Sequence, residues 1–88
     1  MTNETGSILV VEDDPINRIL LTTCLNQEGY TIRTAENGRQ ALDLLERKPF
    51  DLMLLDLLMP EMDGFEVLKW IKTRPGLQHL PIIVVSAE

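Results

Sequence analysis

The sequence predicts a single α/β domain built on a doubly wound parallel sheet. Four short apolar or β-branched runs alternate with three amphipathic segments, and three of the four runs are apolar throughout, as strands buried on both faces are. The chain has 88 residues, of which 44% are hydrophobic and 25% are charged, which suits one globular domain. We therefore expect the order β-α-β-α-β-α-β, with right-handed crossovers between parallel strands.

The first strand is the apolar run from Ile8 to Val11, and the first helix follows it. Asp14 is a typical N-cap and Pro15 is favoured in the first turn, so the helix begins there and ends at Gly29. Spacings of three and four residues predict a stripe that faces the core, made of Ile16, Ile19, Leu20, Thr23 and Cys24. The same pattern turns Asn17, Arg18 and Gln27 toward water. Cys24 is accordingly expected to be a small buried side chain.

The second strand, residues 30–35, alternates and is less apolar than the others, which indicates a place near the edge of the sheet. Asn37 and Gly38 separate this strand from a second helix, which ends before Pro49 because proline disfavours helical geometry in the residue before it. The apolar positions of this helix are Ala41, Leu42, Leu44 and Leu45.

The third strand is the run from Leu52 to Leu55, and the fourth is the run from Ile82 to Val85. Between them lies a third helix, for which a capping-box-like arrangement is formed by Asp63, Gly64 and Glu66. The buried side of that helix is predicted to carry Phe65, Leu68 and Ile71.

Composition and charge narrow the classes of function. With 8 Lys and Arg against 14 Asp and Glu, the net charge is −6, which argues against direct nucleic acid binding and favours cations as partners. No apolar run reaches the roughly 18 residues of a membrane span, and residues 1–7 form a polar tail that lacks a signal-peptide core. A single cysteine and a single histidine exclude zinc-type Cys/His spacing and an internal disulfide. We expect a cytoplasmic protein without membrane contact.

Acidic residues follow two of the predicted strands. Glu12 and Asp13 come directly after the first strand, and Asp56 comes directly after the third. Carboxyl ends of parallel strands lie at one edge of the sheet, where ligands of such folds bind, so we expect these carboxylates to converge if the two strands are neighbours. Their mutual repulsion is relieved by protonation or by a cation, and Mg²⁺ suits an open, wet site with few carboxylates. The fourth strand brings Ser86 to the same edge, where its hydroxyl is placed to hold a phosphoryl oxygen.

Three motifs follow one another along the chain: ILVVEDDP at residues 8–15, DLLMPEMDG at residues 56–64 and PIIVVSA at residues 81–87. In this order they resemble the receiver domain of two-component response regulators. The resemblance extends over practically all of the chain from residue 7 to residue 88. It implies a flavodoxin-like sheet with strand order 2-1-3-4-5.

The resemblance also implies a site and a reaction. Asp56 would accept a phosphoryl group from a histidine kinase or a phosphotransfer protein, with Mg²⁺ required. Asp13 and Asp56 would bind the metal directly, Glu12 would act mainly through water, and Leu58 would contribute its backbone carbonyl. Ser86 matches the switch hydroxyl. In the family, the first helix commonly docks against the kinase, and the corresponding region here carries Pro15, Ile16 and Leu20.

The chain departs from the family pattern after its fourth strand. Family members continue with a fourth helix, a fifth strand that carries a lysine, and a fifth helix. We therefore expect a polar tail at residues 1–7 and an incomplete receiver domain at residues 8–88, with the fifth strand and the last two helices absent. The fourth strand would then be a bare apolar edge, which predicts self-association or complementation through it.

Two other functions are considered beside the phosphoacceptor. One is a truncated receiver fragment that acts only as an interaction or dimerising module. The other is an aspartyl-phosphate phosphatase or phosphotransferase acting on small molecules, which would want a general acid two residues after the nucleophile. Leu58 stands at that position and cannot serve as an acid, so catalysis is expected to be confined to self-phosphorylation and self-dephosphorylation.

Overall fold

The computed structural model describes residues 6–57 and 64–85, which form four strands, three α-helices and one short 3₁₀ helix. In chain order the elements are β1 (Ser7–Val11), α1 (Pro15–Gln27), β2 (Thr31–Ala35), α2 (Gly38–Arg47), β3 (Leu52–Asp56), α3 (Gly64–Lys72), the 3₁₀ helix (Pro75–Leu77) and β4 (Ile82–Val85). The strands are parallel and lie in the order β2-β1-β3-β4, which confirms the predicted fold class.

Local chemistry explains where the helices begin and end. The carboxylate of Asp14 accepts a hydrogen bond from the backbone N–H of Ile16 at 3.1 Å, so it caps α1 as predicted. Beyond α1, Gly29 has a φ of 96°, a left-handed conformation that side chains disfavour. The side chain of Asn37 caps α2 by accepting from the N–H of Gln40 at 2.9 Å.

The two faces of the sheet are covered by different helices. On one face, Leu9, Val11, Met53 and Leu55 are fully buried beneath α2 and α3. On the other face, Ile8, Val10 and Leu54 form a smaller cluster, against which Leu21 and Leu25 of α1 pack. Strands β1 and β3 are therefore buried on both sides, as their apolar sequences predict.

The predicted core stripe of α1 is wrong. Ile16, Ile19 and Leu20 are 68%, 63% and 58% exposed, and Cys24 is exposed as well. The face that turns inward carries Leu21, Leu25 and Arg18, of which the prediction assigned Arg18 to water. Both stripes have helical spacing, so periodicity could not choose between them. In the observed orientation, which turns Leu21 and Leu25 inward, the Arg18 guanidinium also forms hydrogen bonds with the loop before the helix.

The third helix required a smaller correction. Its buried residues are Gly64, Val67 and Ile71, whereas Phe65 is 56% exposed and not part of the core. Phe65 precedes Val67 by two residues, and residues two apart point to different sides of a helix. Phe65 therefore cannot share the face of Val67 and Ile71. The predicted cap Asp63 lies outside the described residues.

The two edge strands of the sheet differ in sequence, because β2 is mixed whereas β4 is apolar. Strand β2 is mostly exposed and lies at one edge, as its mixed sequence predicts. Strand β4 lies at the other edge, and its Ile83 and Val84 are 52% and 45% exposed. None of the helices in the described part of the chain is long and apolar enough to cross a membrane.

Candidate functional site

The acidic residues predicted to converge do so at the carboxyl edge of the sheet. Strands β1 and β3 are neighbours, with Val11 paired to Leu55, so the residues that follow Val11 stand beside Asp56. Carboxylate oxygens of Glu12, Asp13 and Asp56 all lie within 4.8 Å of one another. Glu12 and Asp56 are only 5% and 6% exposed, and Asp13 is the most exposed of the three. The three acids thus form one cluster, open to solvent on the side of Asp13.

Burial and repulsion act together on Glu12. Its pKa is raised above the ordinary value of 4.5, first because burial disfavours the carboxylate, and further because Asp56 and Asp13 repel its negative charge. A side-chain hydrogen bond with Asp56 favours the protonated form, whereas a hydrogen bond from the N–H of Asp14, at 3.2 Å, favours the ionised form. The carboxylates of the cluster therefore repel one another, and a bound cation would reduce this repulsion.

The loop that carries Glu12 and Asp13 is held from two sides. The backbone N–H of Glu12 donates to the carbonyl of Ala35 at 3.0 Å, which ties the loop to the end of β2. Nη1 of Arg18 donates to the carbonyls of Glu12 and Asp13 at 2.9 and 3.4 Å. Nη2 of the same guanidinium lies 3.7 Å from a carboxylate oxygen of Glu36, in the loop after β2.

Arg18 is therefore a site residue that the sequence analysis missed. Only 19% of its side chain is exposed, although it was expected to face water. Its position one turn into the helix after an acidic loop was visible in the sequence. A long cationic side chain there is equally compatible with solvent exposure, so nothing in the sequence alone singled it out.

The start of α3 lies close against Asp56. The N–H of Gly64 donates to the carbonyl of Leu57 at 3.0 Å. A Cβ added at Gly64 would lie 2.5 Å from Cα of Leu57 and 2.8 Å from the carbonyl oxygen of Asp56, distances that permit no side chain there without a shift of the backbone. Glycine at this position thus lets α3 begin directly against the backbone of Asp56 and Leu57.

Two of the predicted site residues cannot be placed. Leu58, the expected source of a backbone carbonyl ligand, and Ser86, the expected switch hydroxyl, both lie outside the described residues. His79, the single histidine, is exposed.

Comparisons with known proteins agree with this geometry. The response regulator receiver domain family matches residues 8–88. The polar-differentiation response regulator DivK of Brucella anthropi is 44% identical over 82 residues, which cover 92% of this chain and 66% of DivK. A probable cyclic di-GMP phosphodiesterase of Vibrio cholerae is 42% identical over 82 residues, which cover 93% of this chain and 18% of that protein.

A solved structure of a response regulator is also similar to this chain. Response regulator protein TrrA from Thermotoga maritima, crystallised in complex with Mg²⁺-BeF, has a TM-score of 0.87 to this chain at 40% identity. The match covers 96% of this chain and 71% of TrrA. This chain thus spans no more than about two thirds of the length of the two curated relatives.

Proposed function

Because this chain belongs to the response regulator receiver domain family, we propose that Asp56 accepts a phosphoryl group from the phosphohistidine of a histidine kinase or phosphotransfer protein. A carboxylate oxygen of Asp56 attacks the phosphorus, the P–N bond to the imidazole breaks, and the imidazole nitrogen keeps the electron pair. The observation that carries the proposal is the convergence of Glu12, Asp13 and Asp56 within 4.8 Å at the carboxyl edge of the sheet.

The same carboxylates suit Mg²⁺ as the cofactor. They offer only hard oxygen atoms, they repel one another, and the cluster is open on the side of Asp13, as a metal that keeps several waters requires. Asp13 and Asp56 would bind the ion directly, Glu12 would act through water, and Leu58 would supply its backbone carbonyl. Bound there, the ion would neutralise charge between the nucleophile and the phosphoryl oxygens. The relative TrrA was crystallised with Mg²⁺-BeF, which supports this choice of metal.

The remaining residues would position and confine the reaction. Arg18 holds the loop of Glu12 and Asp13 in place, and Gly64 keeps α3 close to Asp56. Ser86 would hold a phosphoryl oxygen as the switch hydroxyl. Leu58 offers no general acid, so we propose a signalling domain whose chemistry is limited to its own phosphorylation and dephosphorylation, not an enzyme for small molecules. We propose that this domain acts in the cytoplasm.

The test is phosphorylation by a small donor. Incubation with acetyl phosphate and Mg²⁺ should add one phosphoryl group, measured by intact mass, and chelation of Mg²⁺ should abolish the addition. Asp56→Asn should remove the labelling, whereas Asp43→Asn, which makes the same charge change on the exposed face of α2, should retain it. Equal labelling of the two variants would contradict the assignment of Asp56.

A second candidate is an interaction module that self-associates through β4. Ile83 and Val84 of this edge strand are about half exposed, and within the described residues β4 is hydrogen-bonded to a single strand, β3. Unpaired backbone groups beside apolar side chains favour pairing with another chain. Sedimentation across a concentration series should show association that Ile83→Lys abolishes. A monomer at every concentration would contradict this second candidate and leave the first one intact.

A further inference from the structure

A groove lies at the end of the molecule opposite the acidic cluster. It runs between the C-terminal ends of α2 and α3 and the 3₁₀ helix, and it has a volume of about 450 Å³, within the range of ligand-binding clefts. Leu45, Trp70 and Leu77 contribute apolar surface to its lining. Since the lining residues precede β3 and β4, the groove lies at the amino edge of the sheet. The phosphorylation site occupies the carboxyl edge, so the two are separate.

The charge around the groove is opposite to that of the molecule. The charged residues that line the groove are Arg47, Lys48 and Arg74 against the single carboxylate of Glu46, a net charge of +2. The whole chain carries −6, so the remaining residues carry −8. This distribution attracts an acidic partner to the groove and repels it elsewhere.

A stacked pair shapes one wall of the groove. The guanidinium carbon of Arg74 lies 4.2 Å from the centre of the Trp70 ring, and Nη2 of Arg74 lies 3.5 Å from a carboxylate oxygen of Glu46 on α2. The pair thus bridges α3 to α2 across the groove. Tryptophan and arginine are the residue types that contribute most binding energy at protein interfaces, because they combine a large contact area with a fixed polar group.

We propose that this groove docks an acidic peptide segment of a partner protein. An apolar side chain of the peptide would lie on Trp70 and Leu77, and its carboxylates would face Arg47 and Lys48 at the rim. Nucleic acid is disfavoured because the charge of −8 on the rest of the chain would repel an extended phosphate backbone. The site would let the domain bind a partner without covering Asp56.

Trp70 reports directly on this site, because it is the single tryptophan of the chain and lines the groove. The probe is a synthetic hexapeptide, Asp-Glu-Leu-Phe-Glu-Asp, which has no tryptophan or tyrosine of its own. Titration should change the Trp70 emission saturably, with an affinity that falls about tenfold when the salt rises from about 0.05 to about 0.3 M. A peptide with lysine at all four acidic positions should produce no saturable change.

Two kinds of variant localise the binding. The double variant Arg47→Gln and Lys48→Gln should weaken binding about tenfold, a loss of roughly 1.4 kcal/mol. Arg33→Gln and Arg39→Gln together remove the same charge from exposed positions outside the groove, and should change the affinity less than twofold. A Cβ added at Gly76 meets no atom within 4 Å, so Gly76→Gln should obstruct the groove without disturbing the fold and should abolish the response.

The proposal is overturned by any of four results. One is the absence of a saturable change with the acidic peptide at millimolar concentration, and another is an equal response to the lysine peptide. The third is equal weakening by the two double variants, which would mean that only net charge matters. Saturable, salt-sensitive binding of a single-stranded oligonucleotide in place of the peptide would assign the groove to nucleic acid and likewise refute it.

Discussion

Replacing Glu12 by glutamine should stabilise the protein at neutral pH in the absence of divalent metal. Glu12 is 5% exposed and lies against the buried carboxyl of Asp56, and both burial and repulsion raise its pKa. The amide oxygen of glutamine can still accept the hydrogen bond from the N–H of Asp14. The substitution therefore removes the repulsion between Glu12 and Asp56. It keeps the shape of the side chain and the oxygen that accepts the hydrogen bond from Asp14.

The size of the effect follows from the distance. With oxygens no more than 4.8 Å apart, two ionised carboxylates repel by about 3.5 kcal/mol at an effective dielectric constant of about 20. The hydrogen bond from the N–H of Asp14 offsets part of this repulsion, so the expected gain in the free energy of unfolding is about 1–3 kcal/mol. For a domain of this size each kcal/mol raises Tm by about 4–8 °C.

The pH dependence gives an independent reading of the same effect. Because the pKa of Glu12 is higher in the native state than the ordinary 4.5, the native state binds more protons than the unfolded state between those two pKa values. The contribution of Glu12 to stability is therefore lost as the pH rises through this window. The difference in Tm between Glu12→Gln and the unsubstituted protein should grow across the window and then level off.

The assay is thermal unfolding from about pH 4 to pH 8 in a chelating buffer, followed by the same series with Mg²⁺. Mg²⁺ should raise the Tm of the unsubstituted protein more than that of Glu12→Gln, because binding to the native state relieves the same repulsion. Asp43→Asn, an exposed acid on α2, is the control for a change in net charge and should shift Tm by less than about 3 °C. A Glu12→Gln variant that is less stable than the unsubstituted protein at pH 7 without metal would refute the reasoning.

Three further predictions concern the surroundings of the site. Asp13→Ala should abolish the Mg²⁺-dependent rise in Tm while the protein stays folded, and a rise of undiminished size would place the metal elsewhere. Ile16→Glu, at a position 68% exposed, should slow phosphotransfer from a phosphohistidine donor at least several-fold and spare labelling by acetyl phosphate; equal loss by both routes would indicate a damaged fold. Arg18→Gln should weaken Mg²⁺ binding several-fold, measured by calorimetry, because two carbonyls of the acidic loop lose their donor, and Arg18→Lys should recover part of the affinity. An unchanged affinity in Arg18→Gln would show that Arg18 does not position the loop.

The strands and the acidic cluster were predictable from the sequence for one physical reason. Apolar runs such as Ile8 to Val11 are uniform because both faces of a central parallel strand are buried, and the residue after such a run must lie at the edge of the sheet. The parallel arrangement then places Glu12 and Asp56 at the same edge of the sheet, where they meet because β1 and β3 are neighbours. The positions of β1 and β3 as neighbours came from the family resemblance.

The orientation of α1 was not predictable by the same reasoning. Hydrophobic periodicity identifies a helix and its stripes, but α1 has two stripes with helical spacing, and the more apolar one, with Ile16, Ile19 and Leu20, is exposed. The choice depends on tertiary contacts that a single sequence does not contain. The hydrogen bonds of Arg18 to the loop before the helix are among these contacts.

The orientation of α1 that exposes Ile16 and Leu20 is also the one that turns Arg18 toward the acidic loop. If the stripe of Ile16 and Leu20 faced the sheet, Arg18 would turn to solvent, and the carbonyls of Glu12 and Asp13 would lose the donor that holds the acidic loop. The observed orientation keeps that loop in place and leaves three large apolar side chains exposed on the helix that begins directly after it. Apolar residues grouped on a surface beside a reactive group indicate a contact surface for a partner. We expect a phosphodonor protein to dock on this apolar surface, and Ile16→Glu should therefore separate the two phosphorylation routes.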